Sequence, residues 1–399
     1  MKVYFKKSYI KVALLIAYIF ILIFILLKKV IWLFIFALLL LILYTLYSKL
    51  NRILERYFIY QILYYPFVVI AIFIMAISVR IFFFEIYYIP TNSMRNTIFA
   101  GDIILMNKLV YGPLLPKNPY EVPWFNLFYY FISKNKSSID SSCWNIKRLK
   151  GFSKIKYNDI IIFEHNENNE NIIFIKRCTG LPGDTIHIIN EKIYTHGKII
   201  DSPPEAIYTY KIYYSDYNKL FNVLKLPDIE KNLIAYNEKE NYLSVIMPYM
   251  IKEKLLKYNF INSIVIEKER ADTAFHKFPY SNLFNWTLDS FGPLWIPARN
   301  KEILLNTKNY ILYKDIINTE TKSNFKIIND SIFIIDNQIV TKYKFKNNYY
   351  FVMGDNRHDS RDSRYIGFIS EDNILGKATV IIFSKTEKIN LNRIFKKLK

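Results

Sequence analysis

Three apolar runs open the chain: Val12–Leu27, Ile31–Tyr47 after the Lys28–Lys29 pair, and Ile62–Phe84, which carries Arg80 near its far end. The first two are about 16 or 17 residues long, short for ~30 Å of hydrocarbon, whereas the third suffices by itself. The pattern predicts a membrane anchor over residues 1–84 with three transmembrane helices at about 12–27, 31–47 and 62–84. A secretory signal peptide competes for the first run, but no small-residue cleavage site follows it and a second apolar run comes at once. Lys2, Lys6, Lys7 and Lys11 precede the first span, and Lys49, Arg52 and Arg56 lie between the second and third. With three spans both basic groups lie in the cytoplasm and everything after Phe84 lies outside it. If the two short runs form one span or a re-entrant hairpin, the amino terminus changes side while the third span keeps its direction.

After Glu85 the period changes to that of strands: Asp102–Leu105, Asp159–Phe163, Ile172–Ile175 and Thr185–Ile189, each bounded by Gly, Pro, Asn or Asp. Short runs of this kind predict antiparallel sheets or an open barrel. Residues 193–348 mix strand-like and helix-like pieces, without candidate chemistry, and read as an inserted β-rich subdomain. The expected organisation is therefore anchor 1–84, catalytic domain 85–192 and 349–385, insertion 193–348, and a basic tail 386–399. The tail, NRIFKKLK, is expected to be a solvated end near anionic headgroups. The aromatic stretch Pro123–Ile132 reads as a packed or membrane-interface loop rather than a platform for bases.

A formal charge of +20 fits nucleic acid or anionic lipid. The lysines are scattered and no nucleic-acid motif accompanies them, so lipid is the expected partner. Two cysteines, Cys143 and Cys178, are too few for a disulfide framework, and whether they pair is left open. Neither lies in a metal-binding arrangement, and no metal or other cofactor is expected.

Candidate chemistry sits in three places. Ser93 lies in YIPTNSMRNTIFAGD, just beyond the third apolar run. Lys176 follows Ile172, Ile173, Phe174 and Ile175 directly. A polar cluster, GDNRHDSRDSRYIGF, spans Gly354–Phe368. A serine hydroxyl needs an adjacent base to attack a carbonyl. An ordinary lysine, near 10.4, is neutral in only about one molecule in 2,500 at pH 7. Burial among Ile173, Phe174 and Ile175 would penalise its charged form and create that base. The bland reading, a lysine alternating outward to solvent, is equally open to a strand. His358 beside Asp359 and Ser360 invites a Ser/His/Asp triad, yet neighbours on one strand or turn seldom point at one reacting atom. A metal-dependent hydrolase using Asp355, His358, Asp359 and Asp362 is a second alternative, with no distant cluster to complete its ligand set.

These motifs, in order over Ile89–Lys377, resemble the boxes of the bacterial type I signal peptidases, membrane-anchored serine endopeptidases with a Ser/Lys dyad. YGPLLP, GFSKIK and FGPLWIP look like the large form found in Bacteroidetes-type bacteria. The resemblance implies a mainly β catalytic domain with antiparallel sheets and an open barrel, N-terminal transmembrane helices, and the large insertion. It implies Ser93 as nucleophile, Lys176 as general base, and an oxyanion hole from Thr91 and the Ser93 backbone N–H. Ser360 would orient the lysine amine, Asp362 and Arg364 would form a structural ion pair, and Gly354, Asp355 and Arg177 would give support. The substrate strand would lie between Ile89–Pro90 and Ile173, Phe174 and Ile175. The implied partners are exported pre-proteins with signal peptides and the lipid bilayer. The implied location is the cytoplasmic (inner) membrane, multi-pass, with catalysis on the extracytoplasmic (periplasmic) side. Two positions depart from the family pattern: Asn96 replaces a proline, which bears on the serine turn and on turnover, and Ile366 stands where an aromatic is common. Asn96 is the one hint of an impaired relative that binds signal segments without cleaving them.

Overall fold

The structure, a computed structural model, describes residues 44–45, 58–118, 121–122, 144, 147–167, 170–190, 192–200, 202–224, 233–237, 239–268, 277–329, 331–385 and 389–398. The expected spans 12–27 and 31–47 lie outside the described residues apart from 44–45, as do the aromatic stretch 123–132 and Cys143. Residues 1–79 and 80–399 form separate units. The described part of the first is mainly helix α1 (Phe58–Phe82). From residue 66 onward its side chains are described, and Phe67, Val69, Ile70, Ile72 and Phe73 are exposed. Among the described residues no helix is long and apolar enough to cross a membrane.

The second unit is mainly β. Its first strands are β1 (Phe84–Tyr88), β2 (Asp102–Asn107), β3 (Ile160–Glu167) and β4 (Glu170–Gly180). Next come β5 (Thr185–Ile189), β6 (Lys192–Thr195), β7 (Lys198–Ile200), β8 (Ile207–Tyr214), β9 (Leu233–Asn237), β10 (Tyr242–Pro248) and β11 (Ile261–Ile266). They are followed by β12 (Ser290–Trp295), β13 (Glu302–Leu304), β14 (Lys326–Ile328), β15 (Ile332–Ile335), β16 (Gln338–Val340) and β17 (Lys342–Lys344). The last are β18 (Tyr349–Met353), β19 (Ile369–Ser370) and β20 (Ile374–Ser384). Seven strands form the largest sheet, in the order β1-β2-β20-β3-β4-β18-β19, every neighbouring pair antiparallel.

The side-chain pattern explains the sheet. In β2, Asp102, Ile104 and Met106 point inward and alternate with half-buried residues, the signature of a strand covered on one face. In β3 the unbroken run Ile160–Phe163 is covered on both. Ile160 and Ile162 join a core with Met94, Ile98, Ile104 and Ile175, while Ile161 and Phe163 join another with Cys178, Tyr350 and Val352. Strand β4 changes character along its length. Ile172 and Ile173 are 39% and 41% exposed, and burial is continuous only from Ile175. Of the expected apolar neighbours of Lys176, Ile173 is exposed, whereas the partly buried Phe174 ring, two residues back on the same face of the strand, lies with its centre 5.5 Å from Nζ.

Strands β8 to β11 make a separate four-stranded sheet with its own core, including Tyr208, Tyr210, Ile212, Leu243 and Val245. The sheet β12-β5-β6-β7 straddles residue 192, because Ile189 in β5 pairs with Lys192 in β6. Its core includes Ile186, Phe291 and Leu294 together with Phe351 and Met353 of β18. The carboxyl tail is not a solvated end. Residues 389–398 fold back along β20, with Phe395 N–H donating to Ile381 O at 2.7 Å and Leu398 N–H to Thr379 O at 2.9 Å. Arg393 and Leu398 are buried.

Candidate active site

Ser93 sits in the connection between β1 and β2. That connection is closed at its base, where Ile89 N–H donates to Asp102 O at 2.9 Å and Gly101 N–H to Ile89 O at 2.8 Å. Met94 and Ile98 anchor it by plugging fully into the core. Lys176 enters from β4, opposite Ile161 of β3. Its Nζ lies 2.7 Å from Ser93 Oγ and donates to the Ile175 carbonyl at 3.0 Å. The lysine is 3% exposed. Burial pushes its amine down to about 8, against the opposing pull of Asp362 and then Asp355. At pH 7 roughly one molecule in ten then carries a neutral amine.

Two buried ion pairs frame this contact. Arg177 holds Asp355 bidentately, Nε to Oδ1 at 2.8 Å and Nη2 to Oδ2 at 2.6 Å, while Thr97 Oγ1 donates to the same carboxylate at 2.5 Å. Arg364 grips Asp362 in the same way, at 2.9 and 2.8 Å, and Gly354 N–H donates to Asp362 at 3.0 Å. Burial by itself would push the Asp362 carboxyl up, but the Arg364 guanidinium and the backbone donors hold it below the usual carboxylate range. Gly354 has no room for a side chain: a Cβ there would lie 2.1 Å from Ser360 Oγ and 2.5 Å from Ser93 O.

A serine hydroxyl within reach of a buried amine of lowered basicity can be deprotonated and attack a carbonyl. Residues 61–242 and 296–383 match the family described as signal peptidase, peptidase S26. The chain belongs to this family. It is similar to signal peptidase I of Buchnera aphidicola subsp. Schizaphis graminum, 28% identical over 319 residues covering 80% of this chain and 74% of that relative. Signal peptidase I of Aquifex aeolicus (strain VF5) is 24% identical over 313 residues, covering 78% and 81% of the two chains. A shorter likeness, 31% over 135 residues, links it to signal peptidase I of Rickettsia akari.

Within this S26 peptidase the expected residues are distributed unevenly. Ser93, Lys176, Gly354 and the two ion pairs come together as described. Thr91 and Pro90 are exposed and Ile89 is buried. Among the described residues the Ser93 backbone N–H has no acceptor. Ser360 differs from expectation. Its buried Oγ has no hydrogen-bond partner, since Lys176 bonds to Ser93 and Ile175 while Ser360 packs against Gly354. His358 serves elsewhere: Nδ1 accepts from Thr209 N–H at 3.2 Å, which leaves the ring proton on Nε2 to donate to Asp289 at 2.7 Å. With Asp355 and Asp362 given to arginines, the donors of a metal-dependent reading are already engaged.

Two features escaped the sequence reading. Asn356 N–H donates to Ser93 O at 3.0 Å and its Nδ2 to Asn92 O at 3.2 Å, clamping the serine turn. On the other edge of the same segment, Ile207 N–H donates to Asp355 O and Arg357 N–H to Ile207 O, so β8 borders the site. Asn356 lies inside GDNRHDSRDSRYIGF, yet nothing in that motif says which turn it holds. Asn96 explains its departure from the family pattern. Its φ is +76°, which asparagine tolerates and which a proline, locked near −65°, cannot adopt.

Proposed function

We propose that this chain is a membrane-bound serine endopeptidase that removes N-terminal signal peptides from exported pre-proteins, with Ser93 as nucleophile and Lys176 as general base. The observation that carries the reading is the 2.7 Å approach of the buried Lys176 amine to Ser93 Oγ. Neutral Nζ takes the hydroxyl proton as Oγ attacks the scissile carbonyl. The resulting ammonium protonates the leaving amine, and an acyl-enzyme remains on Ser93. The leaving amine is the new N-terminus of the mature protein, which departs; water, deprotonated by the Lys176 amine, then hydrolyses the ester and releases the signal peptide. The unengaged Ser93 N–H and the Thr91 hydroxyl suit an oxyanion hole, a donor of which is typically worth about 2.7–4 kcal/mol in the transition state. The chemistry calls for no metal or nucleotide.

An extended substrate would add as a strand beside Ile89–Pro90 and Ile173–Ile175, where the exposed side chain of Ile173 offers apolar surface. Small residues such as alanine would fit shallow subsites before the cut. The exposed apolar face of α1 and the basic residues of the amino-terminal segment support anchorage in the cytoplasmic membrane with the β unit outside. Arg364–Asp362 and Arg177–Asp355 act as braces that keep the lysine and serine strands in register. The asparagine at position 96 is compatible with activity, because it closes the turn instead of opening it.

Incubation of the purified chain with a pre-protein tests the reading. Ser93→Ala should leave the precursor intact while the parent protein cleaves it in the presence of chelator. Cleavage retained by Ser93→Ala, or lost with chelator, would remove the Ser/Lys assignment. The pH profile gives an independent check. Because the base must be unprotonated, kcat/KM should rise along an acid limb centred near pH 8, the value to which burial pushes Lys176. A limb near pH 6.5 would instead point to a histidine.

A further inference from the structure

The folded-back tail delivers one side chain to the serine turn. Arg393 Nη2 donates to Asp102 Oδ2 at 2.6 Å and to the Thr97 carbonyl at 3.0 Å. Its guanidinium carbon lies 4.4 Å from the centre of the Phe99 ring, within cation–π range. Asp102 has no exposed surface, and its remaining partners are Ser384 Oγ and Phe99 N–H. Arg393 is thus the cation that balances a fully buried carboxylate. Every group it touches belongs to the return limb of the turn, residues 97–102, whose outbound limb carries Ser93.

The two limbs are held by different parts of the protein. Asn356 fixes the outbound limb at Asn92 and Ser93. Asp355 reaches the return limb only through the Thr97 hydroxyl. Three further points on that limb, the Thr97 carbonyl, the Phe99 ring and Asp102, are held by Arg393. The arginine is itself set by a short helical turn, Leu391–Arg393, and by backbone bonds from the tail to β20 on its carboxyl side. Its charge and its burial are used, and both of its hydrogen bonds to the turn come from Nη2, while the buried Nε has no partner.

We propose that Arg393 is a positioning residue for peptide cleavage: the carboxyl tail clasps the serine turn through it and so keeps Ser93 Oγ in reach of Lys176. The inference rests on the Ser93/Lys176 reading. Removing Arg393 deletes side-chain contacts only, so β4 and the backbone bonds of Ile89 to Gly101 and Asp102 stay and keep the substrate strand in place, and the loss should fall on kcat rather than KM. Misplacement of a reacting atom by about 1 Å can cost on the order of 100-fold.

The test uses the full chain in detergent micelles with a signal-peptide-bearing precursor, assayed below the melting midpoint of each variant. Arg393→Ala is expected to lower kcat roughly 10- to 100-fold with KM nearly unchanged. Guanidinium ion at millimolar concentration should restore part of the rate in a saturable way, and Arg393→Lys should retain an intermediate kcat. Should Arg393→Ala fail to fold, the paired variant Arg393→Met with Asp102→Asn removes the unbalanced charge. It should recover the melting midpoint without recovering kcat. A folded Arg393→Ala or paired variant that cleaves at the parental rate overturns the proposal. So does a loss that tracks the unfolded fraction and is insensitive to guanidinium. Failure of the underlying reading looks different, because Ser93→Ala would then still cleave in the unaltered background.

Discussion

Replacing Lys176 with methionine is expected to stop cleavage and, at neutral pH, to stabilise the fold. Methionine keeps the length and apolar stem of lysine but has no lone pair for the Ser93 proton. Loss of a general base that also protonates the leaving group should lower kcat by about 10⁴-fold or more. The stability effect follows from the lowered basicity of the buried amine. Its folded value, about 8, lies below the 10.5 of an exposed lysine. The unfolded chain therefore binds the extra proton between these values, and stability rises with pH across that window. The cost is present in full below pH 8 and fades by about pH 10.5. At pH 7 it amounts to about 3 kcal/mol, from which the lost bond to Ser93 subtracts about 1. In denaturant titrations Lys176→Met should thus be more stable than the parent by about 2 kcal/mol at pH 7 and less stable by about 1 kcal/mol near pH 11, where only the lost bond remains. Equal stability at both pH values would mean that the amine does not have the lowered basicity on which the proposed mechanism rests.

Breaking the Arg177–Asp355 pair should have the largest destabilising effect. Both side chains are essentially without solvent contact, 1% and 0% exposed, and Asp355→Ala leaves the guanidinium buried without its carboxylate. The expected loss is about 3–5 kcal/mol by chemical denaturation. Substituting both partners by apolar residues of similar size, Arg177→Met with Asp355→Leu, should recover much of it, since two charges no longer need desolvation. An effect on catalysis accompanies this. Asp355 is one of the two carboxylates that favour the ammonium form of Lys176. Its removal should therefore move the acid limb of kcat/KM to lower pH. A limb shifted to higher pH, or a loss below about 1 kcal/mol, would contradict the role given to the pair.

Both predictions concern the same economy of charge. The site gathers Lys176, Arg177, Arg364, Asp355 and Asp362 where water is excluded. It is tolerable because each of these arginines is matched bidentately by one aspartate, while burial lowers the basicity of the lysine to about 8. The pairs are also geometric: Arg177 follows Lys176 on β4, and Asp362 receives the N–H of Gly354. The strand that carries Lys176 and the loop that abuts Ser93 are thereby fixed to one frame. Ser360 shows how local such matching is. Its hydroxyl is buried beside Gly354 and yet reaches no partner.

By itself the sequence determined the parts whose cause is local. Alternation set strands β2 and β5, and the unbroken apolar run at Ile160–Phe163 belongs to a strand covered on both faces. Lys176 stood out because a base that must be uncharged needs apolar neighbours in the chain, while Ser93, Gly354, Asp355, Asp362 and Arg364 were named by resemblance of their motif boxes to the signal peptidases. The tertiary structure alone decided which groups meet. Ser93 and Lys176 are 83 residues apart, Arg177 and Asp355 178, and Asp102 and Arg393 291. Residue type carries no register across such distances, so the tail looked like a solvated basic end until β20 gave it an edge and Asp102 a charge to balance. The outward turn of Ile173 and the left-handed backbone of Asn96 were hidden for the same reason. Each depends on where the core ends in space, a boundary set by the packing of distant strands and not by the residues on either side.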